Sequence, residues 1–542
     1  MLKRALRPFP QLILAMVFLA AGAILEGMVL VKMMSFIDYA MAGDMETLKR
    51  EIPYLILQAT VLIPIQVLAT VTKNWYRRKA NLSMKRYYLK RVFKKNISEF
   101  QQENTAIYLS RLTNDCNTLD ANFIEGIFTV FSGITNFGVA VWILSTVGKG
   151  MVPFALGITA LTAGVSILLS RPVSKQVKER SDQFDGYTSY IKEVLSAFHI
   201  VKTNNLNSKV TKDYYEKSEK IQQKGYSIEK TFTFVNALQN GSFTLMLYLG
   251  LSYLAYLGSK GTITAAGALT VSNAIQRIAW PLMMMSEALP KLIASKDLGK
   301  KINDSLVNKD THEETISIQS FADKIELKKV GFAYKDAENE NKILHDVSME
   351  IKKNGKYLVI GPSGGGKSTL LKLLRKYYNA AEGEILLDGK PLADIKKEDY
   401  FSLLANVEQQ VFIFEDTLRN NITLYKDYSE EEINHAIEVS GLTNFVKNLP
   451  DGLNTMIYDN GKNISGGERS RIVIARAMLA KASILIMDEA FAALDMERAK
   501  EIEQTILDLE NITVINVSHV IFNDTKNQYD KIFHVKGTVT EG

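Results

Sequence analysis

The sequence is poor in most features that would place it quickly. A single cysteine, Cys116, in 542 residues excludes an intrachain disulfide and any cysteine-rich metal site. Charge of one sign is also missing: 65 Lys and Arg stand against 59 Asp and Glu, and the net +6 is too small an excess to imply a nucleic-acid partner. With 46% hydrophobic residues the chain is not a disordered one. Internal repeats and low-complexity tracts are absent, and no long apolar run occurs after residue 291. A mean hydropathy of −0.02 is too apolar for an average soluble protein, and 23% charged residues are too many for a purely membrane-embedded one. The mean therefore averages two unlike halves. At roughly 100 to 200 residues per domain, the length allows about three or four domain-sized units.

Before residue 291 there are six apolar stretches, near 12–34, 52–72, 124–148, 151–170, 231–259 and 262–289. Each has the roughly 20 residues that a bilayer-spanning helix needs. The first is too long in its apolar part, and too poor in small residues at a cleavage point, to be a removed signal peptide. Lys and Arg cluster before the first stretch, after the second (Lys73, Arg77, Arg78 and Lys79 onward) and after the fourth, whereas the opposite loops hold only Lys49 and Arg50, Lys149, and Lys260. That asymmetry puts both termini on the cytoplasmic side. The two long cytoplasmic loops contain few Gly or Pro, and Leu82, Arg86, Leu89, Val92 and Phe93 recur at helical spacing. These loops read as helical extensions of the spans, about 24 residues reaching roughly 36 Å. Charges inside a span are costly and mark a pathway or a buried partner. Glu26 and Arg277 are therefore expected to face a central cavity, as a pair or as substrate contacts. The alternatives are helix packing for Glu26 and a gating or wet position for Arg277.

The composition changes after the sixth stretch. Residues 1–302 read as a membrane domain, 303–323 as a polar linker with Asp304, Glu313 and Glu314, and 324–542 as an α/β domain of alternating β-branched and helix-like segments. A strand-like run ending at Ile360 leads into Gly361, Pro362, Ser363, Gly364, Gly365, Gly366, Lys367 and Ser368, with a helix from Thr369. This is G-x-x-x-x-G-K-[ST] in its strand–loop–helix setting. The glycines let backbone N–H groups curl around phosphate oxygens, Lys367 reaches the β and γ phosphates and Ser368 ligates Mg²⁺. ATP and Mg²⁺ are the cofactors this implies, with residues 361–369 as the ATP-binding set. A second apolar strand, 484–487, ends in Asp488 and Glu489. The first carboxylate can hold the Mg²⁺ shell and the second can orient or deprotonate the attacking water.

Between these segments lie Ser465, Gly466, Gly467 and Glu468, and here the chain resembles the ATP-binding cassette family, whose signature motif is usually LSGGQ. The resemblance implies that this helix N-terminus contacts the γ-phosphate on a partner subunit, so that two chains complete two sites. It further implies that Tyr334 stacks on adenine, that Gln409 approaches Mg²⁺, that Asp495 lies in a loop contacting the opposite subunit, and that His519 contacts the γ-phosphate. Ile464 and Glu468 depart from the usual Leu and Gln, and Glu468 brings a negative charge toward a phosphate-binding edge, with Arg469 and Arg471 near in sequence to offset it. The segment from Tyr108 to Asp115 resembles one that exporters of the family carry next to a coupling helix.

Six spans followed by one cassette on one chain is the arrangement of exporter half-transporters. The expected fold is therefore an all-α transmembrane domain of six helices with long cytoplasmic extensions, followed by an α/β P-loop nucleotide-binding domain. The expected activity is ATP-driven export of a peptide, a lipid or an amphipathic drug by alternating access. A membrane-anchored ATPase acting as a regulator or gated pore is the alternative. The expected partners are a second half-transporter chain, in a homodimer or else a heterodimer, together with membrane lipids and the exported substrate. The expected place is the cell membrane, a bacterial inner or plasma membrane, with the cassette cytoplasmic. The chain starts about ten residues before its first span, so no leader-trimming protease domain is expected ahead of it.

Overall fold

The structure, a computed structural model, describes residues 1–148, 150–157, 160, 164, 187–188, 190–310, 312–334, 342–408, 411–491, 494–519 and 521–541. The chain forms two compact units, Met1–Lys95 with Glu103–Val307, and Asn96–Gln102 with Asn308–Gly542. Helices among the described part of the first 307 residues include α1 (Leu2–Ala5), α2 (Phe9–Met41), α3 (Met45–Val92), α4 (Ile97–Gln102), α5 (Thr105–Val147), α6 (Asn207–Ser259) and α7 (Ala265–Ser305), with a further short helix at Phe198–Thr203. All but α4 belong to the first unit.

Among the described residues, α2, α3, α5 and the Asn240–Ser259 part of α6 are long and apolar enough to cross a membrane. No more than a third of the apolar window in any of them is buried. Apolar side chains left facing outward on this scale suit lipid rather than water. The fourth expected span, 151–170, falls largely outside the described residues, and the sixth lies in α7, where Asn273, Gln276 and Arg277 interrupt the apolar run. The expected cytoplasmic extension of the second span is realised as uninterrupted helix, since α3 continues to Val92.

Small residues bring these helices together. A Cβ on Gly27 of α2 would lie 2.5 Å from Val139 Cγ1 of α5, and one on Gly133 of α5 would lie 2.2 Å from Met285 Sδ of α7. Such close approach replaces the hydrophobic drive that lipid does not supply. Around it Ala140, Ile143, Leu144, Val271 and Ile275 form a buried core.

The second unit contains β1 (Lys324–Phe332), β2 (Leu344–Lys352), β3 (Lys356–Ile360), β4 (Glu382–Leu387), β5 (Lys390–Pro391), β6 (Leu404–Val407), β7 (Asp416–Thr417), β8 (Met456–Ile457), β9 (Ile484–Asp488), β10 (Thr513–Val517), β11 (Lys531–Lys536) and β12 (Thr538–Glu541). One sheet has the order β12-β11-β3-β10-β9-β6 and is parallel except for β12. A second, β2-β1-β4-β5, is antiparallel, and the sequence reading of a plain α/β domain did not distinguish it. One core joins the two sheets, through Leu327, Val347, Val359, Ile486 and Ile515.

The boundary lies after Val307, and the polar stretch read as a linker over 303–323 is divided between the units. Its larger part is built into the second unit. Ile316 exchanges backbone hydrogen bonds with Asp394 and Lys396, at 2.9 and 2.8 Å. Glu314 Oε1 lies 3.1 Å from Lys376 Nζ and 2.9 Å from Lys397 Nζ. Burial pushes the Glu314 carboxyl up, but the two lysines outweigh it and hold the group below the usual carboxylate range. The helix α4 joins the same region, because Glu99 accepts the backbone N–H groups of Lys309 and Asp310 at 2.8 to 3.0 Å. Replacing Glu314 by Ala leaves Lys376, 2% exposed, without its carboxylate. Loss of one member of a buried pair costs about 3 kcal/mol, so Glu314→Ala should lower the thermal unfolding midpoint of the cassette by several degrees.

Candidate nucleotide-binding site

The residues singled out for phosphate chemistry leave from the carboxyl ends of three adjacent parallel strands. Val517 at the end of β10 pairs with Val359 of β3 on one side and with Asp488 of β9 on the other. Such strand ends are where open α/β sheets bind ligands. The loop after β3 requires glycine. Gly361 has φ 153 and Gly366 φ 99; a Cβ on Gly361 would stand 2.1 Å from the Val535 carbonyl oxygen, and one on Gly366 2.7 Å from Leu344 Cδ2. The loop opens the helix α8 (Lys367–Leu374). Lys367 is buried, and its ammonium donates to the carbonyl oxygens of Gly361 and Pro362 at 2.7 and 3.1 Å. Ser368 is exposed on the first turn.

Asp488 closes β9 beside this loop. Burial pushes its carboxyl up, Arg375 pulls it back, and Glu489 and Glu408 add to the rise. Arg375, at the end of α8 and 4% exposed, is the site residue that sequence reasoning missed. Its Nη1 lies 3.6 Å from Asp488 Oδ2, and its Nε donates to Asn406 Oδ1 at 3.0 Å. Its only sequence signal was a basic residue eight positions after Lys367, which says nothing until the helix is laid against β9.

Glu489 sits in the left-handed region at φ 51, fixed there by its N–H donating to the Val517 carbonyl at 2.9 Å. A non-glycine residue adopts that conformation uncommonly. It places Glu489 Oε1 3.1 Å from His519 Nε2, so two residues separated by 30 positions meet. Tyr334 also reaches the site. Its ring stands edge-on to Phe332 and Tyr378, and its hydroxyl is 3.4 Å from Thr369 Oγ1 and accepts from Lys372 at 3.2 Å. Gln409 lies outside the described residues.

The signature segment forms the start of α9 (Gly466–Leu479). Ser465 Oγ accepts the Glu468 N–H at 3.2 Å, and Glu468 Oε2 accepts the Ser465 N–H at 2.7 Å. This reciprocal cap satisfies two of the helix's free donors. Glu468 is thus turned back onto its own helix end, with Arg471 and Asp495 lining the same cavity of about 310 Å³. Asp495 accepts the Arg498 N–H at 3.0 Å and caps α10 (Met496–Leu507). Among the described residues, no hydrogen bond or ion pair joins 465–468 to 361–369. Glu468→Gln keeps the cap but removes a charge from the helix N-terminus, an effect worth about 0.3 to 1 kcal/mol toward an anion. The variant should lose at most that same increment of stability, a melting temperature lower by a few degrees, while its ATP concentration for half-maximal hydrolysis falls by up to about fivefold.

Comparison with known proteins agrees with both halves of the chain. Residues 12–280 match the family model described as ABC transporter transmembrane region, and residues 344–492 match the one described as ABC transporter. The ATP-dependent lipid A-core flippase of Syntrophus aciditrophicus (strain SB) is 25% identical over 551 aligned positions, which cover 100% of this chain and 90% of that protein. The multidrug resistance ABC transporter ATP-binding and permease protein of Lactococcus lactis subsp. lactis (strain IL1403) is 29% identical, over 82% of this chain and 75% of its own length. A solved bacterial Atm1-family ABC exporter with ATP bound has the same fold, with a TM-score of 0.82 at 20% identity, over 99% of this chain and 95% of that one. The protein is a multi-pass membrane protein of the ABC transporter family, with transmembrane region and ATP-hydrolysing cassette fused on one polypeptide.

Proposed function

We propose that the chain is a half-transporter that exports an amphipathic substrate (a peptide, a lipid or a drug) by alternating access, and that two copies form two composite ATP sites. The observation that carries this reading is the separation, within one cassette, of a hydrolytic edge from a capped signature helix that makes no bond to it among the described residues. The hydrolytic edge is the phosphate loop with Asp488 and the Glu489–His519 pair. Each edge then needs its counterpart from another chain. A second copy of this chain is the simplest partner. The relatives named as a lipid A-core flippase and a multidrug resistance transporter support lipid and drug among these classes.

Ser368 and Asp488 offer a hydroxyl and a carboxylate oxygen, the donor set a hard divalent cation takes. When bound, Mg²⁺ would neutralise charge on the β and γ phosphates. Lys367 would exchange its two loop carbonyls for phosphate oxygens. Glu489 would orient and deprotonate water at the γ-phosphate while His519 shifts from Glu489 toward the phosphate. Cassette movement would reach the membrane helices through α4, which is held by Glu99 and is continuous in sequence with α3 and α5. The basic loops support a cytoplasmic cassette, and the bacterial source of the relatives supports a bacterial inner membrane.

The transport path in this reading is a cavity of about 590 Å³ lined by Glu26, Arg277, Lys73, Glu125, Trp280 and Met284. Glu26 Oε2 accepts from Arg277 Nη2 at 2.8 Å and its Oε1 accepts from Gln66 Nε2 at 2.7 Å. Lys73 pairs with Glu125 on the same wall. The cavity is charge-paired yet aromatic, which suits an amphipathic guest.

Three measurements test the proposal. Glu489→Gln should cut ATP hydrolysis at least about a hundredfold and trap an ATP-bound dimer of this chain alone; a trapped dimer that forms only with a second kind of chain would replace the homodimer with a heterodimer. Inside-out vesicles should accumulate substrate with ATP and not without it, and an ATPase that moves nothing uphill would contradict export. Glu26→Ala and Arg277→Ala should each reduce substrate-stimulated hydrolysis severalfold, with partial recovery in the charge-swapped E26R/R277E; unchanged stimulation in both would remove the pair from the path.

A further inference from the structure

A buried carboxylate that the proposed chemistry does not use lies behind the hydrolytic edge. Glu503, on α10, has only 2% of its surface exposed. Taking a carboxylate out of water is unfavourable unless donors meet it, and three side chains do. Asn516 Nδ2 donates to Glu503 Oε1 at 3.2 Å, the Tyr529 hydroxyl donates to the same oxygen at 2.7 Å, and Thr525 Oγ1 donates to Oε2 at 2.5 Å. Asn516 Nδ2 also donates to the Tyr529 oxygen at 2.7 Å. All four residues are buried. Burial pushes the Tyr529 hydroxyl up and the Glu503 carboxylate adds to the rise, so the hydroxyl stays a donor. Asn516 Oδ1 has no partner among the described residues, which leaves Glu503 and Tyr529 to set the direction of its amide.

The donors bracket His519 in sequence. Asn516 lies in β10, one residue before Val517, whose carbonyl accepts the Glu489 N–H, and Thr525 follows His519 by six positions. Two further contacts tie α10 to the same stretch. Lys500 pairs with Asp524, and Gln504 and Gln528 exchange amide hydrogen bonds at 2.9 and 2.7 Å. Lys500, Glu503 and Gln504 are spaced i, i+3, i+4, so one face of α10 carries all three contacts. The same helix starts at its cap, Asp495, eight residues and about 12 Å before Glu503.

We propose that Glu503 is a positioning residue for ATP hydrolysis: its carboxylate holds Asn516 and Thr525 against α10 and so sets His519 opposite Glu489. It acts through His519 and makes no contact of its own with ATP, and the proposal rests on the reading of Glu489 and His519 as the hydrolytic pair. The helix is then a stiff link from Asp495, where the second chain is expected, to the backbone on both sides of His519. Without the carboxylate three buried donors lose their acceptor, and the 3.1 Å contact between His519 and Glu489 loses its support from behind.

The test uses the full chain and reads ATP hydrolysis and, without nucleotide, hydrogen exchange. E503L fills a similar volume and leaves the three donors unpaired. E503Q keeps an acceptor for Asn516 and Tyr529 and offers Thr525 Oγ1 a donor, while the Thr525 hydroxyl hydrogen turns to the Phe522 carbonyl at 3.3 Å. E503L should lose kcat at least about tenfold with KM for ATP changed less than about twofold, and E503Q should stay within about threefold of wild type in kcat. Amides of residues 521–527 should exchange at least about tenfold faster in E503L, with those of β3 unchanged. The control E501Q, at an exposed position of the same helix, should match wild type throughout. H519A/E503L should lose no more than H519A, because the two residues act as one unit. If E503L folds poorly, T525V carries the test, with a severalfold loss of kcat that H519A again masks. Undiminished kcat in H519A overturns the hydrolytic reading and this proposal with it. An impaired H519A beside an undiminished E503L or T525V, a loss in E503Q equal to that in E503L, or losses that multiply in the double variant overturns this proposal alone.

Discussion

The constraint on which the rest depends is the parallel register of β3, β10 and β9. Val517 faces Val359 and Asp488 across the two ladders, so the phosphate loop, the carboxylate pair and His519 must all emerge at one edge. The strands can hold that register because they are apolar on both faces: Val359, Ile486, Ile515 and Val517 on one, and Leu485, Met487 and Val514 on the other, are essentially excluded from solvent. A one-residue slip would exchange the side chains that the two cores bury and carry the strand ends out of line. Burial thus does for the site what no local loop preference could do, and fixes the distance between groups that are far apart in sequence.

Four of the cassette's described site residues have a partner within their own chain. Lys367 is held by the carbonyls of its own loop, Glu489 by His519, Asp488 by Arg375 and Ser465 by Glu468. In the proposed reading each of these contacts is one that nucleotide or a second chain replaces. This makes binding a competition between two sets of bonds of similar strength, which is the condition for a population shift rather than a rigid lock. Glu468 shows how a departure from the usual motif is accommodated: the carboxylate is spent on capping its own helix, and Arg471 shares its cavity.

The membrane half follows the same economy under a different solvent. Lipid offers charges no hydration, so Glu26, Arg277, Lys73 and Glu125 are paired with one another on one wall. It offers helices no hydrophobic drive toward each other, so Gly27 and Gly133 let side chains of neighbouring helices come within contact distance of the backbone.

The sequence by itself determined what local pattern can carry. Apolar length set the spans, because a bilayer accepts little else. The glycine spacing at 361–366, followed by Lys367 and Ser368, set the phosphate loop, because only that spacing lets backbone N–H groups converge; Asp488 and Glu489 were legible as acids at the end of an apolar strand. What only the tertiary structure decided was pairing across distance. Arg375 against Asp488, Glu489 against His519, Arg277 against Glu26, and the seating of Glu314 between two lysines each join positions with no periodic or spacing relation. A linker and a polar strap have the same composition, and only the surface that covers residues 308–323 makes them part of the cassette. Charge and hydropathy are properties of a residue, readable in one dimension; complementarity is a property of two surfaces and exists only once the chain has folded.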